Sequence, residues 1–411
     1  MKRAGLLLVA FLTLVPSLRG EAQGLSGVYQ AISDYFNPDP NAGLTAFRSL
    51  LIPMGGLAEG MGQAYTAASR DSSYFESNPA ASSLLPQTEL AVYHNNWIAD
   101  TKIEGSVYTI RLGDLGLGIY GKWLYLDFPQ FDQFGNATSD GYYSEAIMGV
   151  NVAYNFLAGY NFAGIALGAT LKGAYRVVPS SITEAVGNSA AAIMGDFGGL
   201  VRFNFLKFYS SRSKNCAFGL AIKNLGPPVQ DEPLPTVASA GISYSPLRPL
   251  TFAFDLSKPI NLVDPSSSEA FIWAFGVSGS LTDYFKLDGG FLLKGGNPRL
   301  SLGTSFNIDL VRLTVNYTLD LTTQATPFNR ISVEASFALG DLGRADLAKK
   351  VDNLYLSGLD AYAKGDTAAA AAAWAEALKI DPRFDPAKES LKALQGFQNL
   401  LDSINKAQVL N

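Results

Sequence analysis

The stretch 310–321 reads LVRLTVNYTLDL, with an apolar residue at every second place: Val311, Leu313, Val315, Tyr317, Leu319 and Leu321. Between them stand Arg312, Thr314, Asn316, Thr318 and Asp320. Successive strand side chains point to opposite faces, so the segment has one apolar face and one polar, charged face. Fourteen strand-like segments of this kind, separated by turn signals, fall between about 89 and 340. The clearest are 115–125, 147–156, 163–176, 201–206, 216–223, 250–257, 271–282, 285–294, 300–308, 310–321 and 329–339. Weaker ones are 89–98, 102–112 and 236–244.

The charges decide what the apolar face looks at. A soluble sandwich buries that face in a core; a membrane barrel turns it to lipid and its polar face to a lumen. A lipid-facing Lys or Arg at mid-membrane costs roughly 2–4 kcal/mol. Lys122, Lys172, Arg202, Asp255, Lys286, Asp288, Arg312, Asp320, Arg330 and Glu334 all lie opposite the large apolar residues, on the parity of Gly, Ser, Thr and Asn. Glu104 and Arg111 break the rule, falling on opposite parities of one segment. The connections also segregate. Gly113-Asp114, 157–162, 207–215, 245–249, Thr282-Asp283 and Asp309 are mostly tight, whereas 126–142, 177–188, 225–235, 258–269 and 322–328 are mostly long and polar. Outer-membrane barrels keep short periplasmic turns and longer outer loops. The expected fold is therefore an all-β transmembrane barrel of about 14 antiparallel strands over 89–340.

Composition and the N-terminus agree. Lys2 and Arg3 precede the apolar run GLLLVAFLTLV, followed by Pro16, Ser17 and small residues, which reads as a secretory signal peptide over 1–22. No later apolar run reaches the roughly 20 residues that a spanning helix needs. Yet 48% of the chain is hydrophobic, mean hydropathy is positive and only 16% of residues are charged, against about 25% in a typical soluble domain. A net charge of −5 without a basic cluster points away from nucleic acid. Cys216 has no partner for an internal disulfide and reads as a small apolar side chain. His94 is the only histidine, placed by parity near the end of the first strand, and no G-x-S-x-G elbow accompanies it. Metal clusters, Cys-x-x-Cys pairs and phosphate loops are missing from the sequence, so no enzyme, cofactor or metal site is expected.

Residues 25–88 do not alternate and are rich in Gly, Ala and Ser, as a compact plug inside a lumen requires. Gly60-x-Gly62-x-Ala64-Tyr65, then Asp71, then Asn78-Pro79-Ala80, resembles the N-terminal hatch of FadL-type long-chain fatty-acid channels and of the related barrel subunits of type IX secretion. The chain also resembles an uncharacterised group of spirochaetal outer-membrane proteins. The resemblance implies a fourteen-strand barrel with a hatch, through which a hydrophobic substrate enters from outside, binds an apolar pocket and leaves sideways or past a shifted hatch. Gly60, Gly62, Tyr65, Asn78, Pro79 and Ala80 are then the hatch and gating motif; an ordinary rigid Asn-Pro turn is the competing reading of the last three. Inward positions that offer apolar side chains to a ligand are Tyr120, Leu124, Ile147, Ile272 and Leu292. Glycines on lumen parity (Gly116, Gly118, Gly149, Gly164, Gly168, Gly276, Gly290) leave room for a hatch or ligand, or mark kinks.

From about 343 the pattern turns helical. Leu354, Gly358, Tyr362, Ala370, Trp374, Ala377 and Pro382 stand at the relative spacing of a tetratricopeptide repeat, with Ser357 where Leu is usual. A further helix over about 385–406 would cover the open face. One repeat is below the usual minimum of three. Residues 343–411 are thus expected as a small periplasmic helical domain, docking a periplasmic protein or capping the barrel exit. Taken together, the expected function is an outer-membrane channel for hydrophobic compounds, fatty acids first among them, with membrane lipid around it. The alternative is a non-transporting surface or secretion-associated barrel that anchors a partner protein. A general porin is disfavoured by the hatch.

Overall fold

The computed structural model describes residues 34–98, 100–131, 134–179, 188–322 and 330–409. The signal peptide expected at 1–22, residues 25–33 of the expected hatch and most of the loops 177–188 and 322–328 lie outside the described residues. The fourteen expected strands are present as β1 (Glu89–Asn96), β2 (Lys102–Leu112), β3 (Leu115–Phe131), β4 (Ala137–Phe156), β5 (Ile165–Val177), β6 (Ala190–Phe203), β7 (Cys216–Leu225), β8 (Thr236–Leu247), β9 (Leu250–Ile260), β10 (Ile272–Ser280), β11 (Phe285–Lys294), β12 (Asn297–Ile308), β13 (Val311–Asp320) and β14 (Arg330–Ala338). Each pairs antiparallel with its sequence neighbours, and β1 pairs with β14, Leu90 opposite Phe337 and His94 opposite Val333. The sheet is a closed barrel, which leaves no edge strand.

Alternation assigns the two faces. Ile119, Met148, Leu171, Leu302, Leu313 and Val315 stand exposed on the outside. All ten charges expected in the lumen are inward and buried or half-buried. An apolar exterior around a charged interior is the reverse of a soluble fold and is the build of a bilayer-spanning barrel. In β2 the inward set is Ile103, Val107 and Thr109, so Arg111 points inward at the strand's end and Glu104 outward. Glu104 sits opposite His94 and meets its Nδ1 at 2.8 Å, close to the long-loop rim. Each side chain supplies the other's polar partner on the outer surface.

Three strands run well beyond their patterns. β3 runs on to Phe131 and β4 begins at Ala137, so most of the expected outer loop 126–142 is an extended hairpin. Its Asp127, Pro129 and Asp140 read as loop residues because that part rises beyond the shorter neighbours, where no lumen core demands alternation. β6 begins eleven residues before the expected 201. Its first half, AAAIMGDFGGL, hides its period because Ala and Gly occupy both faces, and a register shift at Gly195/Phe197 breaks it again.

After the barrel, α2 (Arg344–Ala363), α3 (Thr367–Ile380) and α4 (Asp385–Val409) follow; the short lumen helix α1 (Gly56–Gly60) precedes it. Val351, Ala370, Trp374, Ala377, Phe384, Ala387 and Leu394 form the helical core. Trp374 lies against Gly358, where a β-carbon would collide with the indole, and its Nε1 donates to the Tyr355 carbonyl at 3.2 Å. The repeat residues Gly358, Ala370, Trp374 and Ala377 thus meet in one seam. Tyr362 stands half-exposed with its ring centroid 6.0 Å from that of Trp374, and Pro382 falls in the turn before α4. The module is tied to the short-turn end of the barrel. Arg383 meets Asp114 of the β2–β3 turn at 2.6 Å, and Arg212 of the β6–β7 connection meets Asp352 through two bonds of 2.8 and 2.9 Å. The Phe384 ring packs edge-on against Tyr160, 5.2 Å between centroids. Exposed pairs like these contribute about 0–1 kcal/mol each.

Candidate functional site: the hatch and the lumen cavity

The N-terminal segment threads the whole lumen. At the long-loop end, the Asp39 amide donates to the Gly295 carbonyl in the β11–β12 turn, and the Ala46 amide to the Pro233 carbonyl. At the short-turn end, Leu85 accepts from Arg111 and Pro86 from Arg344. The chain thus runs from the loop rim at 34–46, down through the lumen, to β1 at the opposite end.

Small residues allow this. Gly62 (φ +61°) lies against Gly290 of β11, backbone on backbone; a β-carbon on Gly62 would stand 2.7 Å from the Phe291 nitrogen. Gly60 packs in the same way against Gly303 of β12. Gly116 faces Ser82 and Ser83, Gly168 faces Pro79 and Ala80, Gly198 faces Asn78, and Gly219 faces Thr66. The lumen-parity glycines Gly116, Gly118, Gly168, Gly276 and Gly290 make room for the hatch; Gly149 makes room for Tyr120, and Gly164 sits in the turn before β5.

Polar groups pin the hatch to the wall. The Asp255 carboxylate accepts from the backbone nitrogens of Tyr65 at 2.9 Å and Thr66 at 2.7 Å, so it binds the hatch. Asn78 caps the short helical turn at 79–84 through the Ala80 amide, and its Nδ2 donates to the carbonyls of Thr66 and, on β6, Gly199. Asn151 of β4 donates to the Pro79 carbonyl at 3.1 Å. Arg312 is the hub: its Nη2 stands 2.9 Å from Asp71, 2.9 Å from Glu89 and 3.0 Å from Glu334. Tyr65 Oη donates to the same Asp71 at 3.0 Å. Asp320 pairs with Arg330 at 3.3 Å and Arg299 at 3.5 Å. The hatch motif is therefore buried and bonded throughout, and Asn78, Pro79 and Ala80 hold one turn against three strands.

Between hatch and wall lies a cavity of about 90 Å³. Tyr120, Ile147, Ile272 and Leu292, picked out by parity, all line it, together with Phe75 and Leu50 from the hatch segment. Leu124 is buried one inward position above Lys122 and packs in the neighbouring apolar cluster without lining the cavity. Four lysines also line the cavity: Lys122, Lys172, Lys223 and Lys294. Lys122 pairs with Glu76 at 2.9 Å and Lys172 with Asp196 at 2.7 Å. Lys223 donates to the Glu76 carbonyl at 2.7 Å. Lys294 has no ion pair among the described residues, and it also lines a vestibule of about 440 Å³ open at the long-loop end, which shares Leu51 and Ile52 with the cavity. Lys122 and Lys172 stand among the lumen charges read from parity, whereas Lys223, Lys294 and Glu76 escaped the sequence reading. Lys294 shares the inward parity of Leu292, which is the signal that would have found it.

Size limits what fits. An apolar cavity of about 150 Å³ holds one benzene, so 90 Å³ has no room for an acyl chain unless the hatch shifts. Among the described residues no cluster of His, Cys, Asp and Glu is arranged for a metal ion.

Comparison with solved structures finds similarity to the toluene transporter TodX of Pseudomonas putida, 13% identical with a TM-score of 0.46, covering 69% of this chain and 96% of that one. A Pseudomonas aeruginosa FadL homologue is 11% identical with a TM-score of 0.43, covering 70% and 99%. The fold described above rests on this chain's own strand pairing. Among curated proteins, a UPF0164 protein of Treponema pallidum (strain Nichols) is 27% identical over 422 aligned positions, covering 99% of this chain and 96% of the relative. A second from the same organism is 24% identical, covering 84% and 75%. Residues 26–341, which take in the lumen segment and the barrel, match one family throughout, and the chain belongs to it: the uncharacterised protein family UPF0164.

Proposed function

We propose that this barrel is an outer-membrane channel for hydrophobic compounds with an anionic headgroup, long-chain fatty acids first among them, and that the hatch gates it. The observation that carries the reading is the lumen cavity. It combines apolar walls from Tyr120, Ile147, Ile272 and Leu292 with an ammonium, Lys294, that faces both the cavity and the outer vestibule without an ion pair among the described residues. Ligand sites of this kind are mostly apolar with a few placed polar groups. A carboxylate entering from the loop end meets Lys294 first, and its chain then lies against the aromatic and aliphatic wall as the hatch yields. The hatch motif supports the same reading, since its turn is held by hydrogen bonds and glycine contacts rather than by continuous sheet. In this orientation the short-turn end, with the helical module, is periplasmic.

The test is native mass spectrometry of the purified full chain, extracted in a neutral detergent. The expected result is copurified single-chain carboxylic acids, diminished in Lys294→Gln. A barrel that carries no apolar ligand and takes up none when offered contradicts the reading. The anchoring alternative draws on the helical module, whose Leu356, Leu359 and Tyr362 face solvent. A specific protein held by the full chain and lost in Leu356→Glu would favour it.

A further inference from the structure

Below the hatch, at the short-turn end of the lumen, three arginines from three separate parts of the chain converge. Arg70 comes from the hatch, Arg111 from the end of β2 and Arg202 from the end of β6. Arg70 and Arg111 both lie within the electrostatic field of Arg202. A guanidinium keeps its charge at any physiological pH, so three of them in a sheltered space need an anion. None forms an ion pair among the described residues, and the Asp288 carboxylate of β11 acts on Arg70 from beyond ion-pair distance. Arg202 donates to the Ser69 carbonyl at 2.9 Å, and Arg111 to the carbonyls of Gly113 and Leu85. The Arg70 Nε is buried without a hydrogen-bond partner.

The three side chains face an open vestibule of about 520 Å³, bordered by Arg383 and Asp381 of the helical module. The acids on its wall are engaged: Asp114 holds Arg383 at 2.6 Å, and Asp381 accepts from the Arg383 backbone nitrogen at 2.9 Å. Lys214 adds further positive charge, while Arg212 on the same wall is paired with Asp352. The volume falls in the range of ligand sites, about 300–1,000 Å³, and exceeds what a headgroup alone fills. Ala67, Ala68 and Leu84 of the hatch floor give it apolar surface as well.

We propose that this vestibule is an exit-side anion site, which takes the carboxylate or phosphate headgroup of a single-chain amphiphile between Arg70, Arg111 and Arg202. The inference rests on the reading that amphiphiles pass the hatch, and it adds the group that draws them through. The lumen then holds a cation at each end, Lys294 above the hatch and the arginine cluster below it. A headgroup released from Lys294 moves down to a stronger, bidentate partner. Two sources supply this chemistry: a carboxylate arriving through the barrel, or the phosphate of a single-chain lipid from the periplasmic leaflet.

The experiment is calorimetric titration of the purified full chain in dodecyl maltoside with decanoate, decyl phosphate, decanol and inorganic phosphate. It is run in a Lys294→Gln background, so that failure of the inner-cavity reading and failure of the vestibule stay separate. Arg70→Gln is expected to weaken decanoate or decyl phosphate at least tenfold and to leave decanol unchanged, with Arg70→Lys keeping most of the affinity. Arg202→Gln should repeat the loss. Preference for decanoate assigns the site to the transported carboxylate; preference for decyl phosphate assigns it to a lipid headgroup. Amphiphile affinities unchanged in both glutamine variants overturn the proposal, as does inorganic phosphate binding as tightly as decyl phosphate.

Discussion

Arg312 of β13 and Asp71 of the hatch meet at 2.9 Å, and through that contact the plug is fastened to the wall that surrounds it. Glu89 and Glu334 share the same guanidinium nitrogen. Removing one partner of a buried charge cluster leaves the others uncompensated, a cost of about 3–5 kcal/mol. Arg312→Gln is expected to lower the urea stability of the purified barrel by about that amount, while Asp71→Asn, which leaves two carboxylates on Arg312, costs less than half as much. Equal stabilities for wild type and Arg312→Gln would remove the hub from the account.

The glycine seam makes a second prediction. Gly290 touches the hatch backbone at Gly62, whereas Gly289 has open space where a β-carbon would stand. Gly290→Ala should push the hatch off the wall and raise single-channel conductance in planar bilayers severalfold. Gly289→Ala should conduct like the wild type. If both variants conduct alike, the seam does not seal the lumen.

Threading of the N-terminal segment predicts where labels land. Leu44 is exposed at the long-loop end and Leu356 on the helical module, while the native Cys216 is buried. In intact cells a membrane-impermeant maleimide should label Leu44→Cys and leave Leu356→Cys untouched until the outer membrane is opened. The opposite order would invert the orientation proposed for the barrel.

Asp341 joins barrel and helices, accepting from the Ala345 and Gly343 backbone nitrogens at the start of α2. Those bonds hold its carboxyl below the ordinary value of 3.8. A depressed folded pKa contributes stability above the unfolded value and loses it as pH falls through the folded one. Protease sensitivity at the 341–345 junction should therefore rise only below about pH 4, and Asp341→Ala should show the acid sensitivity at neutral pH. A junction equally resistant at both pH values in wild type and variant would contradict this.

Much of this molecule is legible in its sequence, for identifiable reasons. A bilayer outside and water or polar hatch inside impose a period of two on every strand, so Val311–Leu321 and its thirteen counterparts announce themselves. The period fades where the constraint fades. The 126–131 and 137–142 ends of the long hairpin rise past their neighbours, and the alanines and glycines that open β6 leave little side chain to alternate. Parity also found Tyr120, Ile147, Ile272 and Leu292 on the cavity wall. It missed what depends on partners brought together by folding. Parity shows Asp255 only as one more lumen charge, whereas it binds the Tyr65 and Thr66 amides, and the meeting of Asp71 with Arg312 joins residues 241 positions apart.

Uptake of a labelled long-chain fatty acid, by a bacterial host lacking its own channel and expressing this chain at the surface, tests the central claim most directly. The account predicts uptake above the empty host, reduced at least severalfold by Lys294→Gln and by Asn78→Ala, with barrel folding unchanged. No uptake from a well-folded wild-type barrel would contradict it, and the anchoring role would then stand in its place.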